Sequence, residues 1–531
     1  MISKYAFLLV IFLISLSTNS YSLDLPKLKL NNKEKNSLSL MKLKSGNENT
    51  GSLLKTYSDR NFLSKSVLDN GYKLNKNTAD LSVNYSAKLN LNSKKEYKPW
   101  DSKRRFWVAA SEIALLEFLP FSFSAYLKDW TNSTERNWTK ISFKSMWHNL
   151  DNGWFYDGDN FLTNFFAHPY HGNLFYNAGR TNGYNFWESS LFAMSGSAIW
   201  EHFMETWEPA FNDWILTSLN GINLGEITYR LSTLVTDNQL KGSDRTWTEI
   251  AGAIINPVRG FNRLISGETS RIFANPSWRN PDHIGITLSG GARRIDKTNG
   301  ENFAEDGIEE GLFELKVNYG DFINTDYKTP FSSFNFYFDF STGEPHITQI
   351  QGYGHLYGFK LSKNKNHKMS LIESMNYDFF NNPGFVFGAA SLVTNYVNAW
   401  KFSSNSYVIL NINGRIIPMG ATPNDYFAGP EGRNYDFGPG AGGGINFGIK
   451  SGRWDIVNLY YNTSWIWTQS DPAESKHHLH FANIQLQYPM KDYFAIGVDL
   501  GSYWRNSYYD NYEDVFFKTP VVRIFFKTAI L

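Results

Sequence analysis

The feature that most constrains this chain is an alternation of apolar and polar residues that begins near residue 283 and continues to the C-terminus. Over residues 334–340 every second residue is Phe, and the positions between them hold Asn, Tyr and Asp. Over residues 494–501 Phe, Ile, Val and Leu alternate with Ala, Gly and Asp. Successive side chains of a β-strand point to opposite faces of the sheet, so each segment has one apolar and one polar face. The C-terminal half is therefore predicted to form a β-sheet.

The alternation divides residues 281–531 into twelve predicted strands. Twelve is an even number, as bacterial single-chain barrels of the outer membrane require. The short turn at 451–452 is predicted to face the periplasm, and the longer loops 417–438 and 468–476 the outside. The predicted strands cover residues 283–294, 311–323, 331–341, 347–361, 367–379, 384–396, 399–416, 439–450, 453–467, 477–488, 492–506 and 515–530.

A soluble β-sandwich and a transmembrane β-barrel both give this alternation, with the apolar face buried in the first and turned to lipid in the second. Aromatic residues gather at strand ends, for example Tyr460, Tyr461 and Trp465, as in the aromatic girdles of membrane proteins. Aromatics make up 17% of the chain while its mean hydropathy is −0.39. That value argues against a polytopic helical membrane protein, which needs many apolar runs of about 20 residues. The predicted fold class is α+β, an N-terminal helical segment followed by an antiparallel transmembrane β-barrel of about twelve strands.

The N-terminus predicts export. Residues 1–22 have a positive n-region with Lys4, an apolar core over 6–16 and a small-residue cleavage site, as in a signal peptide. The next segment, 23–100, has 14 Lys and one Arg against seven acidic residues, a net charge of +8, although the whole chain carries only +1. Its composition predicts a disordered basic arm, and binding to anionic lipid headgroups or peptidoglycan is the alternative. The predicted location is the bacterial outer membrane.

Residues 101–280 are predicted to form a Trp-rich helical domain that plugs the barrel or packs under its periplasmic mouth. Their most apolar stretch, 106–127, is interrupted by Glu112, Glu117 and Pro120. Because carboxylates are costly inside a bilayer, this stretch is predicted to be a partly buried amphipathic helix. The chain contains no cysteine, which excludes a disulfide scaffold, a Cys-ligated metal site and a thiol nucleophile.

The helical domain contains a series of motifs spaced over about sixty residues. They are His168-Pro-Tyr-His-Gly172, Tyr176, Ala178-Gly-Arg180, Trp200-Glu201, Glu205, Glu208-Pro209, Asn212-Asp213, Gly221 and Gly225-Glu226. Residues 433–440 add Arg-Asn-Tyr-Asp-Phe-Gly-Pro-Gly, with Asn434 where Asp is expected. Together these motifs resemble a bacterial cell-envelope family that carries the domain of unknown function 3943. The resemblance covers roughly 165–270, implies a helical segment ahead of a barrel, and implies no established activity.

Five residues of this domain are candidates for chemistry: His168, His171, Glu201, Glu205 and Asp213. Glu201 and Glu205 are four residues apart and share one helical face. Two imidazoles with two carboxylates, His168, His171, Glu201 and Glu205, would suit a divalent metal of unknown identity. They would also suit general acid/base chemistry on an ester or phosphodiester.

The alternative is a structural role for the same carboxylates. Arg180, Glu226, Arg230, Arg433 and Asp436 are predicted to line the lumen or to form structural pairs. In this alternative Glu201 and Glu205 make buried ion pairs with Arg180 and Arg230. The spacing of the histidines and glutamates does not match the His-Glu-x-x-His pattern of zinc proteases, which favours the structural alternative.

The predicted function is that of an integral outer-membrane barrel protein with a structural or lipid-interacting role in the cell envelope. Two alternatives stay open: a lipid- or glycolipid-modifying hydrolase that uses the His/Glu cluster, and a gated pore for small solutes. The sequence does not decide whether the protein is an enzyme. The expected partners are outer-membrane lipids and the barrel-assembly machinery, without nucleic acid and with the oligomeric state open. No cofactor is predicted apart from a divalent metal at the His/Glu cluster.

Overall fold

The computed structural model describes residues 97–126, 138–296, 307–325, 327–362, 364–427, 433–469 and 475–530. The predicted export signal, 1–22, and residues 23–96 of the predicted basic arm lie outside the described residues.

Twelve strands in the described part of the chain close into one antiparallel barrel, in which neighbours in sequence pair and β1 pairs with β12. The predicted fold class is therefore confirmed. One predicted loop, 417–438, is too long, because β7 continues through a bulge to Pro423 and β8 begins at Tyr435. The strands are β1 Ile284–Ile295, β2 Ile308–Tyr319, β3 Phe334–Ser341, β4 Ile347–Lys360, β5 His367–Asn382, β6 Phe385–Ser403, β7 Ser406–Pro423, β8 Tyr435–Ser451, β9 Trp454–Trp467, β10 Ser475–Lys491, β11 Phe494–Tyr509 and β12 Val515–Ala529.

The two rims of the barrel differ in their connections. We call the rim at which β1 begins and β12 ends the termini rim, and the opposite one the far rim. At the termini rim two-residue turns, 404–405, 452–453 and 492–493, join three of the strand pairs. At the far rim the β1–β2 and β7–β8 connections are longer and span 296–307 and 424–434. Each rim also has an exception, because the β2–β3 connection at the termini rim spans 320–333 and the β5–β6 turn at the far rim is only 383–384.

The barrel lumen is polar and charged. Lys316 pairs with Asp455 at 2.9 Å across the lumen. Arg523 contacts Glu314 at 3.1 Å and Asp499 at 3.5 Å. These side chains border two adjacent cavities of about 230 and 610 Å³. The residues lining both cavities belong to the chain from His283 onward, so the barrel lines its own lumen.

Aromatic side chains close the lumen at the far rim. Phe380 of β5 and Phe481 of β10 approach from different sides of the barrel, with ring centroids 6.1 Å apart. Phe385 of β6 stacks on Tyr503 of β11 at 4.6 Å. Together with Ile295 and further apolar residues they form a buried cluster inside the barrel. The larger cavity therefore lies toward the termini rim, where the turns at 404–405 and 452–453 contribute to its lining.

The helical domain precedes the barrel and forms one compact unit with it. Its helices are α1 Phe106–Tyr126, α2 Phe143–Asn152, α3 His168–Arg180, α4 Phe186–Ile199, α5 Phe211–Val235, α6 Gly242–Ile255 and α7 Pro257–Ile265, with π-helical turns at Thr163–Ala167 and Trp200–Met204. Among these helices none has both the length and the apolar character needed to cross a bilayer.

These helices pack on the outer wall of the barrel. On β5 the side chain of Asp378 points into the lumen and contacts Arg415 at 3.3 Å. Its neighbour Tyr377 points to the opposite face, as alternation requires, and its hydroxyl donates to the carbonyl oxygen of Phe165 at 2.5 Å. The prediction that the helical domain plugs the barrel or packs under its mouth is therefore wrong. The outward strand faces that sequence analysis assigned to lipid are in part covered by helices.

Helix α5 makes the closest approach to the wall. The Nδ2 atom of Asn223 donates to the backbone oxygens of Gly352 on β4, at 3.1 Å, and Met375 on β5, at 2.8 Å. A Cβ atom at position 352 would lie 2.2 Å from Oδ1 of Asn223, so only glycine permits this contact. Around it the apolar residues of α5 pack against outward-facing residues of β2 and β3, including Ile227 with Val317 and Phe334.

The helical domain buries many polar side chains and exposes many apolar ones. In α1 the carboxylates of Glu112 and Glu117 are buried, whereas Trp107 is 80% exposed and Leu119 also points outward. The predicted helix is present, but it is apolar all round rather than amphipathic, because Ile113 packs against α3 while other apolar residues point outward. Buried polar residues of α5 include Asn212, Thr217, Ser218, Asn220, Asn223, Ser232 and Thr233. This is the reverse of the usual distribution in water-soluble proteins.

Candidate functional site

A group of acidic residues surrounds one histidine where the helical domain meets the far rim. We call it the far-rim cluster; its members are Asp157, Asp159, His168, Glu201, Glu205 and Asp213. Of these, His168, Glu201, Glu205 and Asp213 were candidates from the sequence. The structure adds two aspartates from the loop between α2 and α3.

Two π-helical turns position the cluster. The turn Thr163–Ala167 runs directly into α3, so His168 is the first residue of that helix. The turn Trp200–Met204 follows α4 and carries the buried Glu201. A π-helical turn inserts an extra residue and redirects the side chains that follow it, and such turns are frequent at functional sites. Asp213 lies in the first turn of α5.

His168 and Asp213 come together with Asp159. The Nε2 atom of His168 is 3.4 Å from Oδ2 of Asp213 and 3.8 Å from Oδ2 of Asp159. The second distance is too long for a hydrogen bond. The Nε2 atom is buried and makes no hydrogen bond within the described residues.

Glu201 and Glu205 form a pair beside this histidine. Burial raises the pKa of Glu205, and the charge of Glu201 raises it further, so a proton bound to Glu205 is favoured. Oε2 of Glu201 also accepts the backbone N–H of Ala210 at 2.9 Å. Asn149 on α2 donates to the backbone oxygen of Glu205 at 3.2 Å. The prediction that the two glutamates share one helical face is wrong, because Glu205 follows the π-helical turn in extended conformation.

Burial governs the protonation of the cluster. It raises the pKa of Asp213 well above the usual range, and the charges of Asp157 and Glu201 raise it further. Burial raises the pKa of Glu201 to about 7, although the charge of His168 acts in the opposite direction. For His168 burial alone would lower the pKa, but contact with Asp159 and the nearby carboxylates outweighs it and raises the pKa. These shifts favour positive charge at the imidazole and bound protons at Asp213 and Glu201.

The far-rim cluster is tied to the barrel through the start of β8. The hydroxyl of Tyr435 donates to the backbone oxygen of Asp159 at 2.9 Å and accepts from Nδ2 of Asn164 at 2.6 Å. Nη1 of Arg433 donates to the backbone oxygen of Asp157 at 3.0 Å. The motif over 433–440, which the sequence placed with the helical motifs, therefore contacts them in space.

His171 does not join the cluster. Its ring nitrogen contacts the backbone oxygen of Leu116 at 3.2 Å, and its ring packs against Phe175 and Trp200. Burial lowers the pKa of His171 to about 4, so it is neutral near pH 7. The predicted metal set with both histidines is not brought together, and only its His168 lies beside the aspartates.

The predicted structural arginines pair with another carboxylate. Glu226 of α5 accepts from Nε of Arg180 at 2.8 Å, from Nε of Arg230 at 2.8 Å and from the hydroxyl of Tyr176 at 2.6 Å. The expectation that Glu201 and Glu205 pair with these arginines is therefore wrong. The charges of both arginines outweigh the effect of burial and lower the pKa of Glu226.

Asp436 belongs to a separate network at the far rim. Its Oδ2 atom is 2.8 Å from Nε2 of His477, whose Nδ1 is 2.9 Å from the hydroxyl of Ser507. Asn424 donates to both carboxylate oxygens of Asp436. Here every polar atom of the histidine ring has a partner, in contrast to His168.

Sequence analysis missed Asp157, Asp159 and Asn164. Asn212, which the sequence had only as part of a motif, donates to Oδ1 of Asp157 at 2.6 Å and to Oδ1 of its neighbour Asp213 at 2.7 Å. The available signal was the Asp-Gly-Asp sequence over 157–159, which ends nine residues before His168. Asp159, His168 and Asp213 are the described residues whose ligand atoms all lie within 4.8 Å of one another, so they are the set that could hold a metal ion.

Residues 153–258 match the family described as Domain of unknown function (DUF3943), which confirms the resemblance predicted from the sequence. The matched range includes the helical members of the far-rim cluster and ends before the motif over 433–440. No curated protein matches the sequence.

Solved structures with a similar fold are barrels. The NanC porin is 12% identical, with 46% of this chain and 98% of that chain covered and a TM-score of 0.25. The outer membrane phospholipase A from Escherichia coli is 8% identical, with coverages of 47% and 97% and a TM-score of 0.24. A mutant porin of Rh. blastica is 7% identical, with coverages of 47% and 99% and a TM-score of 0.16.

Proposed function

We propose that this chain, which carries the DUF3943 domain, is an integral outer-membrane protein whose helical domain lies beside the barrel wall in contact with lipid. Its role is then exercised at the lipid surface of the protein, as a lipid-interacting component of the envelope. The observation that carries this proposal is the apolar surface shared by the barrel and the helices.

The barrel contributes outward-facing residues on the strands that the helices leave uncovered. Ile524 and Phe526 on β12 are exposed, while Arg523 and Lys527 on either side of them point into the polar lumen. An apolar exterior around a polar interior is the arrangement of an outer-membrane barrel. Three two-residue turns at the termini rim are of the kind found on the periplasmic side of such barrels.

The helical domain continues the same apolar surface. Trp107 and Leu119 of α1, Leu191 of α4 and Leu264 of α7 are exposed. Apolar patches of more than a few hundred Å² are rare on soluble monomers and mark an interaction surface. In lipid the buried asparagines and serines stabilise the packing of the helices, because polar side chains form hydrogen bonds between helices there.

Cysteine scanning tests this placement directly, because the chain has no cysteine of its own. Spin labels attached through Leu119→Cys and Leu191→Cys report collisions with oxygen, which concentrates in lipid, and with a water-soluble nickel chelate. Ile524→Cys on the barrel wall is the lipid reference, and Asp492→Cys in a termini-rim turn is the water reference. We expect both helix labels to behave like the Ile524 label in reconstituted vesicles. Helix labels that follow the Asp492 label would overturn the proposal.

A second candidate function is hydrolysis of a lipid ester or phosphodiester. It is favoured by the position of the far-rim cluster on the outer wall, where a lipid headgroup could approach His168 and Asp213 without entering the lumen. The test compares lipid turnover in vesicles by the wild type and His168→Gln, with His477→Gln as a matched buried histidine elsewhere. Turnover lost only in the first variant supports this candidate, and equal turnover in all three proteins excludes it.

The aromatic cluster inside the barrel bears on the gated-pore alternative. Stacked rings such as Phe385 and Tyr503 line the smaller cavity together with polar residues such as Arg293 and Asp339. A solute that crosses the lumen there would pass between these side chains.

A further inference from the structure

Three donor atoms of the far-rim cluster surround one point. Nε2 of His168 is 3.4 Å from Oδ2 of Asp213 and 3.8 Å from Oδ2 of Asp159. Ligand atoms bonded to one metal ion at about 2.1 Å in a tetrahedral arrangement are about 3.4 Å apart. The separations are therefore close to those of a set of ligands around one ion.

The ring nitrogen of His168 is an independent sign of a ligand. It is buried at the centre of this group and makes no hydrogen bond to any described residue. Leaving a buried polar atom without a partner costs about 1 to 3 kcal/mol. The neighbouring His477 has the same type of carboxylate partner but a full set of hydrogen bonds, so the chain can satisfy a buried histidine where no further ligand is needed.

The surrounding side chains orient the proposed ligands. Asn212 donates to Oδ1 of Asp213 and leaves its Oδ2 toward His168. The backbone of Asp159 is fixed by the hydroxyl of Tyr435. Outer contacts of this kind hold metal ligands in position.

We propose that Asp159, His168 and Asp213 bind one divalent transition-metal ion on the outer wall of the barrel near the far rim. One imidazole nitrogen and two carboxylate oxygens suit Zn²⁺ or Mn²⁺. Three protein ligands leave a further position for water or for an oxygen of a lipid headgroup. The side chain of Asp159 is 36% exposed, which gives the ion a path from solvent. This proposal does not depend on hydrolysis or on the depth of the helices in the membrane.

Mn²⁺ binding to the whole detergent-solubilised chain tests the proposal. The electron paramagnetic resonance signal of free Mn²⁺ falls as the ion binds, and added Zn²⁺ is expected to restore it by competition. We expect one saturable site per chain. Asp213→Asn and His168→Gln should weaken it at least about tenfold. The control is Asp436→Asn, which alters the hydrogen-bonded pair of Asp436 and His477 in the barrel and should leave Mn²⁺ affinity unchanged.

Folding is checked in every variant by heat-modifiable gel migration, which reports the closed barrel. Asp159→Asn is the second variant where Asp213→Asn does not fold, because Asp159 lies in a loop and is partly exposed. A wild-type chain without saturable Mn²⁺ or Zn²⁺ binding overturns the proposal. So does a folded Asp159→Asn or Asp213→Asn chain that binds as tightly as the wild type.

Discussion

Replacing Glu226 by Gln should strongly destabilise the helical domain. Glu226 is fully buried and is the shared partner of Arg180 and Arg230, whose side chains are 18% and 5% exposed. Gln has nearly the same size and can still accept from Tyr176, so no cavity forms. The change removes the negative charge and turns one of the two acceptor oxygens into an NH2 donor, so two largely buried guanidinium groups lose their anion and one of them also loses an acceptor. Breaking a buried pair in this way costs about 3 to 5 kcal/mol.

The measurement is denaturant unfolding in detergent micelles, followed by tryptophan fluorescence. Trp278 stacks on Tyr229 next to this group, so the emission reports the region affected. The matched control is Glu309→Gln on β2. Glu309 pairs with Arg294 at the surface and is 75% exposed, and such pairs contribute about 0 to 1 kcal/mol. Equal losses of unfolding free energy in the two variants would show that the Glu226 group does not stabilise the fold by its charge.

Three further predictions concern packing, pH and the lumen. Gly172→Ala should lower the free energy of unfolding by about 1 to 3 kcal/mol or more, because its Cβ would lie 1.8 Å from the backbone oxygen of Thr217. The control is Gly158→Ala, whose Cβ would meet nothing within 4 Å, so the unfolding free energy should not change in the same assay. Burial raises the pKa of Glu117 from 4.5 to about 9, so between these pH values the folded state holds a proton that the unfolded state has released. The free energy of unfolding therefore falls as pH rises from 4.5 to about 9. Glu117→Gln should remove this part of the pH dependence in the same unfolding assay. The double change Phe385→Ala and Tyr503→Ala should raise conductance in planar bilayers above the wild-type level, and an unchanged conductance would mean that these rings do not close the lumen.

The barrel was predictable because its signal is local. Alternation over a few residues, as in 334–340, fixes which side chains share a face, and twelve such segments imply closure. Strand ends were less certain. Around 417–438 the Gly- and Pro-rich sequence gives no alternation, yet β7 and β8 continue through it with the help of a bulge.

The position of the helices was not predictable from the same pattern. An outward-facing apolar residue such as Met375 has the same sequence signature whether it contacts lipid or a helix. The wall contact depends on Asn223 donating to backbone atoms 129 and 152 residues away. No spacing rule connects such positions.

The candidate site was predicted in part for the same reason. His168 and Asp213 were recognisable as titratable residues in motifs, and they do meet. Which arginine would pair with which carboxylate depends on tertiary contacts, and here Glu226 rather than Glu201 is the partner of Arg180. The contribution of Asp159 depends on a loop whose position is set by the start of β8.

The reversed polarity of the helical domain also bears on how the protein is made. The helices leave the ribosome before any strand does, but the surface on which they rest exists only after the barrel has closed. Before that point the domain would expose both its outer apolar residues, such as Trp107 and Leu119, and the wall-facing side of α5. The helical half of the chain therefore completes its packing only when the last strand, β12, has paired with β1.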